Sequence, residues 1–251
     1  MAASLRGVCA ALGRTGSVSL CRDILGFSGS KIPAAPNNTR PVPVLNINKF
    51  VRLLRGKHFH VHLIFAGSEL FTNNDMRRMD YEVFRLRDIY AAAGIGIGII
   101  TMERRTAANS AGHAVVRTRA DVERTGHDIT ADGDFIPVVV PADMTPNLTA
   151  ADGSIKPGLG KSPLKGPCSP RNEVDMNSVV VNFDGDPSSR TLAHEVGHFL
   201  GADHPTTPGT NLMAQNADFP GDSFFATTII ESDRNKMLAH PCVIRPGLAG
   251  I

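Results

Sequence analysis

The stretch Thr191–His204, TLAHEVGHFLGADH, decides how this chain is interpreted. Its motif H-E-x-x-H-x-x-G-x-x-H is made by His194, Glu195, His198, Gly201 and His204. Two histidines four residues apart lie on one face of a helix, so their imidazoles can bind a single ion. Glycine can adopt the positive φ that ends a helix and turns the chain sharply. That turn would bring His204 back as a third imidazole.

Three histidines around a zinc ion leave a fourth position for water, which is the catalytic rather than the structural arrangement. Glu195 can lie beside the ion without binding it. The five-residue pattern HExxH alone also arises by chance in ordinary amphipathic helices. The added glycine and third histidine, at fixed offsets, favour a zinc site here.

A second feature follows shortly after, at Asn211-Leu212-Met213-Ala214. Together, the long motif and this segment resemble the metzincin zinc endopeptidases, whose signature includes a Met-turn. The resemblance implies that Met213 forms a sulfur-bearing floor beneath the three imidazoles without touching the metal. Glu195 would be the general base that takes a proton from water and returns it to the leaving amine. No tyrosine follows Met213, so no metzincin subfamily is assigned.

The resemblance also implies an α+β fold with an α/β-like upper part. A twisted mixed sheet, mainly parallel, would carry two long helices above a small C-terminal subdomain. The strand–helix–strand order from Phe59 to Thr101 supports this independently. The zinc ligands would be His194, His198 and His204.

Hydrophobic periodicity predicts the main elements. Proline in Phe135–Val140 favours an edge strand, because proline cannot donate to a ladder, and an extended substrate could add to such an edge. Polar, Pro- and Gly-rich composition predicts a surface loop over Ala142–Arg171. The other predicted strands are Lys57–Ala66, Ile95–Thr101, His113–Arg119 and Ser178–Phe183. The predicted helices are Asn74–Ala93, capped by Asn73 or Asn74, the motif helix, capped by Ser188 or Ser189, and Glu231–His240.

Weaker patterns leave further sites open. The histidines at 58, 60 and 62 share one strand face and could form a second metal site, although a polar strand face near the surface is commoner. Asp132–Asp134 and Asp152-Gly153 could contribute to a calcium site, although such sequences are more often turns. Phe224 and Phe225 are candidates for the wall of a substrate pocket.

Length and composition indicate how the chain is divided into domains. The 251 residues, with 42% hydrophobic and 20% charged, are typical of a globular protein. We expect a catalytic domain over residues 47–251. Residues 1–46 would form an N-terminal extension, either a targeting segment or a pro-segment, with the Pro-rich linker Lys31–Pro43 inside it.

Charge and cysteine content bear on partners and location. The net charge of +2 comes without a basic run, so no nucleic-acid partner is expected, and no apolar stretch is long enough for a membrane span. We expect a monomer. None of the four cysteines lies in a CxxC pair. A Cys168–Cys242 disulfide is an open hypothesis, and it would favour an oxidising, extracellular location.

Three hypotheses remain at this point. The leading one is a zinc metalloendopeptidase that acts on a protein or peptide substrate. A zinc amidohydrolase with a narrow substrate is the alternative within enzymes. The third is a catalytically silent protein that contains zinc and binds peptides. Glu195 argues against the third, because a purely structural site has no use for a carboxylate beside an open position.

Overall fold

The computed structural model describes residues 56–131, 134–149, 155–157, 159–168, 176–182, 190–205, 211–214 and 226–244. Its strands are β1 (His58–Ala66), β2 (Gly96–Arg105), β3 (Val115–Thr118), β4 (Phe135–Pro141), β5 (Asp143–Thr149), β6 (Ile155–Pro157), β7 (Gly160–Lys161) and β8 (Val179–Val181). Its helices are α1 (Asn73–Ala92), α2 (Arg119–Asp128), α3 (Thr191–Phe199) and α4 (Glu231–Ala239). Short 3-10 helices lie at Ser68–Leu70 and Ala108–Ser110.

The main sheet has five strands in the order β2-β1-β4-β8-β7. The first four run parallel, and β7 pairs antiparallel with β8. A second sheet contains β3, β5 and β6. The prediction of a mixed, mainly parallel sheet with helices is therefore confirmed.

Side chains from alternate positions of β1 enter two different cores, as the period of two requires. Phe59, Val61 and Leu63 belong to the core beneath α1 and α3, whereas Ile64 lies in the core beneath α2 and the second sheet. The main sheet is thus covered on both faces. The motif helix α3 lies on the first face, where the Tyr90 hydroxyl of α1 donates to the carbonyl of Ala193 at 3.1 Å.

The start of α1 corrects one prediction. Its N-cap is Thr72, not Asn73 or Asn74. The Thr72 side chain accepts from the backbone N–H of Asp75, and the Asp75 carboxylate accepts from the backbone N–H of Thr72. This reciprocal capping box satisfies two donors at once, which a single asparagine cap does not. Gly94, with φ of +74°, follows the end of the helix.

The predicted edge position of Phe135–Val140 was wrong. Strand β4 is internal, between β1 and β8. Its Pro137 is accommodated because β8 is short and pairs only with Val138 and Val139, so the proline lies before that ladder begins. On the side of β8, the edge of the sheet is β7 instead.

The predicted loop over Ala142–Arg171 was also wrong in part, because it contains β5, β6 and β7. Met144 and Leu148 of β5 are buried, whereas Asp143 is exposed. The polar composition of the segment thus does not prevent a strand with buried apolar residues from forming within it. The N-cap of α3 is Arg190 and not the predicted Ser188 or Ser189, because the helix begins only at Thr191. The extension 1–46 lies outside the described residues. Among the residues that the structure describes, no helix is long and apolar enough to cross a membrane.

Candidate metal centre

Three imidazoles of the motif converge at the C-terminal end of α3. His194 and His198 lie one turn apart on the helix, which ends at Phe199. Gly201 then adopts φ of +93°, as predicted, and the chain returns with His204. The Nε2 atom of His198 lies 3.1 Å from that of His194 and 2.9 Å from that of His204. The third Nε2–Nε2 distance, between His204 and His194, is 3.3 Å.

Backbone carbonyls orient two of these rings. The Nδ1 atom of His194 lies 2.8 Å from the carbonyl oxygen of Leu212, and that of His198 lies 2.8 Å from the carbonyl oxygen of Ala202. A carbonyl oxygen only accepts, so both Nδ1 atoms carry the proton. The Nε2 atoms of the neutral rings therefore present lone pairs, as metal-binding imidazoles do.

Burial keeps both rings neutral. Desolvation places the pKa of His194 well below its usual value, and the neighbouring His198 lowers it further. Desolvation lowers the pKa of His198 to about 4, with a further contribution from His204. Two facing lone pairs with no proton between them repel each other. A cation is the group that fits this arrangement, and the three histidines form one of the two clusters among the described residues that could hold a metal.

Glu195 lies next to the first of these histidines and is buried, with 8% of its surface exposed. Burial raises the pKa of its carboxyl to about 8, and the ammonium of Lys161 opposes this shift. A cation bound by the imidazoles would favour the ionised carboxylate for the same electrostatic reason. Glu195 is thus a buried acid–base group on the helix that carries two of the three imidazoles.

Met213 lies fully buried beneath α3. Its backbone N–H donates to the Asn211 side chain at 3.0 Å, and Asn211 in turn donates to the Asp233 carboxylate of α4. The Met213 sulfur packs against Gly197, where an added Cβ would lie only 2.6 Å from it. The segment predicted as a Met-turn is therefore fixed against the motif helix.

The residues that support the centre carry little signal in the sequence. Arg190, the N-cap of α3, is buried and donates to three carbonyls, those of Leu212, Ala214 and Ala226. Gly160 of β7 lies against Glu195, and Lys161 acts on it electrostatically. Only Gly197 had a detectable signal, since a glycine between two histidines of a helix indicates close packing.

The histidines of β1 do not form a second metal site among the described residues. The Nδ1 of His60 accepts from the backbone N–H of Ile99, and His62 contacts Thr101 and Glu103. The rings of His58 and His60 lie over Gly98. The calcium candidates Asp132, Gly133 and Asp152-Gly153, and the pocket candidates Phe224 and Phe225, lie outside the described residues.

The second cluster contains Cys168, His240 and Cys242. Its two sulfurs are joined in the Cys168–Cys242 disulfide, which confirms the hypothesis about this pair. His240 donates from Nε2 to the carbonyl of Gly166 at 3.1 Å, while its Nδ1 accepts from the backbone N–H of Cys242. The bond between the sulfurs makes this cluster a covalent link rather than a metal site.

No family model and no curated protein matches the chain. Among solved structures, metalloproteinase-II from Bacteroides fragilis is similar over 76% of this chain and 54% of its own, with 15% identity and a TM-score of 0.46. Archaemetzincin from Methanopyrus kandleri is similar over 72% of this chain and 93% of its own, with 16% identity and a TM-score of 0.44. The chain spans about half the length of the first of these proteins. A functional assignment therefore rests on the chemistry of the site itself.

Proposed function

We propose that the chain is a zinc-dependent endopeptidase of the metzincin type, acting on proteins or peptides. The observation that carries this proposal is the convergence of the Nε2 atoms of His194, His198 and His204 within 3.3 Å. Three imidazoles are the donor set of a catalytic zinc site, in which one position stays open, and Glu195 on the motif helix supplies a buried carboxyl group. Met213, buried against Gly197 of the motif helix, corresponds in position to the Met-turn of the metzincin signature.

Each group has a separate task in the proposed reaction. A bound zinc ion supplies a Lewis acid that polarises the scissile carbonyl and makes water more acidic. Glu195 accepts the proton of the attacking water and later delivers it to the leaving amine. The carbonyls of Leu212 and Ala202 hold two imidazoles in the tautomer that binds a metal. The edge strand β7 lies beside Glu195 and offers backbone groups to an extended peptide.

The disulfide supports a proposed extracellular location, because such bonds persist in oxidising compartments. Within this proposal, residues 47–251 form the catalytic domain and residues 1–46 an extension that is either cleaved or used for targeting. The protein would act as a monomer, without a nucleic-acid or membrane partner. Calcium has no support from the described residues.

The test is degradation of casein, an unfolded protein, by the purified chain. Wild type, Glu195→Ala and a chelator-treated sample are compared, with bound zinc measured in each. We expect wild type to degrade casein and the other two samples to be inactive, with zinc still bound in Glu195→Ala. Restored activity on adding zinc back to the chelated sample is the control against irreversible unfolding.

Two results would contradict the proposal. Absence of zinc from the purified wild type, and no uptake on addition, would exclude a zinc enzyme. Bound zinc without turnover, even after residues 1–46 are removed, would favour the narrow-substrate amidohydrolase or the catalytically silent peptide-binding protein. Those two are then separated by activity against small amides.

A further inference from the structure

Gly160 of β7 lies directly against the side chain of Glu195. A Cβ atom at position 160 would lie 2.7 Å from Cγ, 3.0 Å from Oε1 and 3.1 Å from Cδ of Glu195. Carbon atoms in folded proteins do not approach this closely, since favourable contacts lie near 3.5–4.0 Å. The carboxylate therefore occupies space that any other residue at 160 would fill.

The backbone of β7 cannot easily yield to such a contact. Gly160 pairs with Val181 and Lys161 with Val180 in the main sheet. The carbonyl of Leu159, just before the strand, accepts from the backbone N–H of Asn182 at 2.6 Å. The three atoms nearest to such a Cβ all belong to the side chain of Glu195. An added methyl group would consequently be accommodated by movement of the carboxylate.

We propose that Gly160 is a positioning residue that lets the Glu195 carboxylate occupy its place against β7, on the helix that carries His194 and His198. This inference rests on the proposed function. It also constrains the sequence of the edge strand, because the residue beside the general base can have no side chain. The zinc ligands lie on α3 and after it, so a methyl group at 160 displaces the base and leaves the metal in place.

The test compares Gly160→Ala with Gly98→Ala. Gly98 is a matched control, since it also lies in a strand of the main sheet and a Cβ there would meet the side chains of His60 and His58 at 2.6–2.9 Å. That contact is on β2, at the opposite edge of the sheet. We expect kcat on a peptide substrate to fall roughly 100-fold in Gly160→Ala, as a small misplacement of a reacting group does. KM and zinc affinity should be unchanged, and Gly98→Ala should retain wild-type kcat.

A second measurement does not depend on turnover. Acetohydroxamate is titrated into the Co²⁺-loaded chain and followed by visible absorption. A hydroxamic acid releases its proton when it binds a metal, and the Glu195 carboxylate is the neighbouring group that can accept it. We expect weaker binding in both Glu195→Ala and Gly160→Ala, and unchanged binding in Gly98→Ala.

The two measurements separate the two proposals. If wild type cleaves no peptide but acetohydroxamate binding weakens in Gly160→Ala, the positioning role holds and the endopeptidase function fails. If Gly160→Ala keeps wild-type kcat and acetohydroxamate affinity, the positioning role is overturned whatever the activity. Loss of zinc from Gly160→Ala overturns it as well, because the substitution would then act on the metal site and not on the base.

Discussion

Arg190 donates a hydrogen bond from Nη1 to the carbonyl oxygen of Leu212 at 3.0 Å. The same oxygen receives the Nδ1–H of His194 at 2.8 Å. The guanidinium also reaches the carbonyls of Ala214, at 2.8 Å, and Ala226, at 3.2 Å. One buried cation therefore holds the segment that orients the first imidazole.

Replacing Arg190 with Met should weaken metal binding without removing a ligand. Three buried carbonyls would lose a charged donor, which we expect to lower the free energy of unfolding by about 3 kcal/mol. Loss of an outer partner of a metal-binding imidazole typically reduces metal affinity about 10- to 100-fold. Zinc competition titrations measure the loss of zinc affinity, and urea unfolding measures the loss of stability.

Arg234→Met is the control for Arg190→Met. Arg234 donates from Nε to the carbonyl of Ala93, at the C-terminal end of α1. It should reduce stability less and leave zinc affinity at the wild-type value. Wild-type zinc affinity in Arg190→Met would show that the Met-turn segment holds its place without the arginine.

Gly197→Ala should destabilise the protein although alanine is the better helix former. In an exposed helix the change would stabilise by up to about 1 kcal/mol. Here the new Cβ would lie 2.6 Å from the Met213 sulfur and 3.3 Å from Cε of Met237. Overpacking of this kind costs roughly 1–3 kcal/mol. Chemical denaturation of the metal-free protein shows directly whether Gly197→Ala lowers or raises the free energy of unfolding.

A double-mutant cycle tests the cause of that loss. Met213→Ala removes the sulfur that the alanine at 197 would meet, so Gly197→Ala should cost less in that background. Equal costs in the two backgrounds would mean that the steric contact with Met213 is not responsible.

Removal of the disulfide should reduce stability by roughly 4 kcal/mol, because Cys168 and Cys242 are 74 residues apart and the cross-link restricts a long loop in the unfolded chain. Urea unfolding of Cys168→Ser/Cys242→Ser and of wild type, both without metal, measures this. Wild type treated with dithiothreitol should match the double variant. An unchanged unfolding midpoint in both would refute the prediction.

Stability should fall as the solution becomes acidic, in part because of His113. Burial lowers the pKa of this imidazole, and Asp128 only partly opposes the shift. The unfolded chain therefore takes up a proton at a higher pH than the folded one. The contribution of His113 to the free energy of unfolding is fully present at pH values above the pKa of histidine in the unfolded chain, about 6.5. It is lost as the pH falls towards the lower pKa that His113 has in the folded chain.

His113→Gln should flatten this acid dependence when the free energy of unfolding is measured at several pH values between neutral and mildly acidic. The glutamine amide can still contact the Thr125 hydroxyl, which His113 contacts at 3.0 Å. If the free energy of unfolding of His113→Gln falls with decreasing pH as steeply as that of wild type, other groups are responsible for the effect. His60 and His240 are the next candidates, because burial also lowers their pKa values.

The sequence predicted the parts of this molecule that depend on local spacing. The convergence of His194, His198 and His204 follows from helix geometry and from the positive φ of Gly201, which lies between the last two. The long helix α1 follows from its apolar periodicity. The partners of Arg190 could not be predicted, since its three carbonyls are more than twenty residues away in the chain.

The errors have physical causes as well. The missing N–H of Pro137 predicts an edge position, but the neighbouring strand β8 is too short to pair with that residue. The polar composition around β5 predicts a loop, but Met144 and Leu148 are buried there while Asp143 is exposed. Gly160 was not recognised because nothing in the sequence indicates that a side chain from α3 fills the space beside it.

The coverage of the main sheet on both faces affects how metal binding can be observed. Backbone amides in β1 and β4, between two cores, should exchange with solvent deuterium only when the whole domain unfolds. Their exchange rates therefore report global stability, to which a bound metal adds. The three imidazoles lie on α3 and after it, yet the amides of Val61 in β1 and Val139 in β4 should exchange more slowly once zinc is bound.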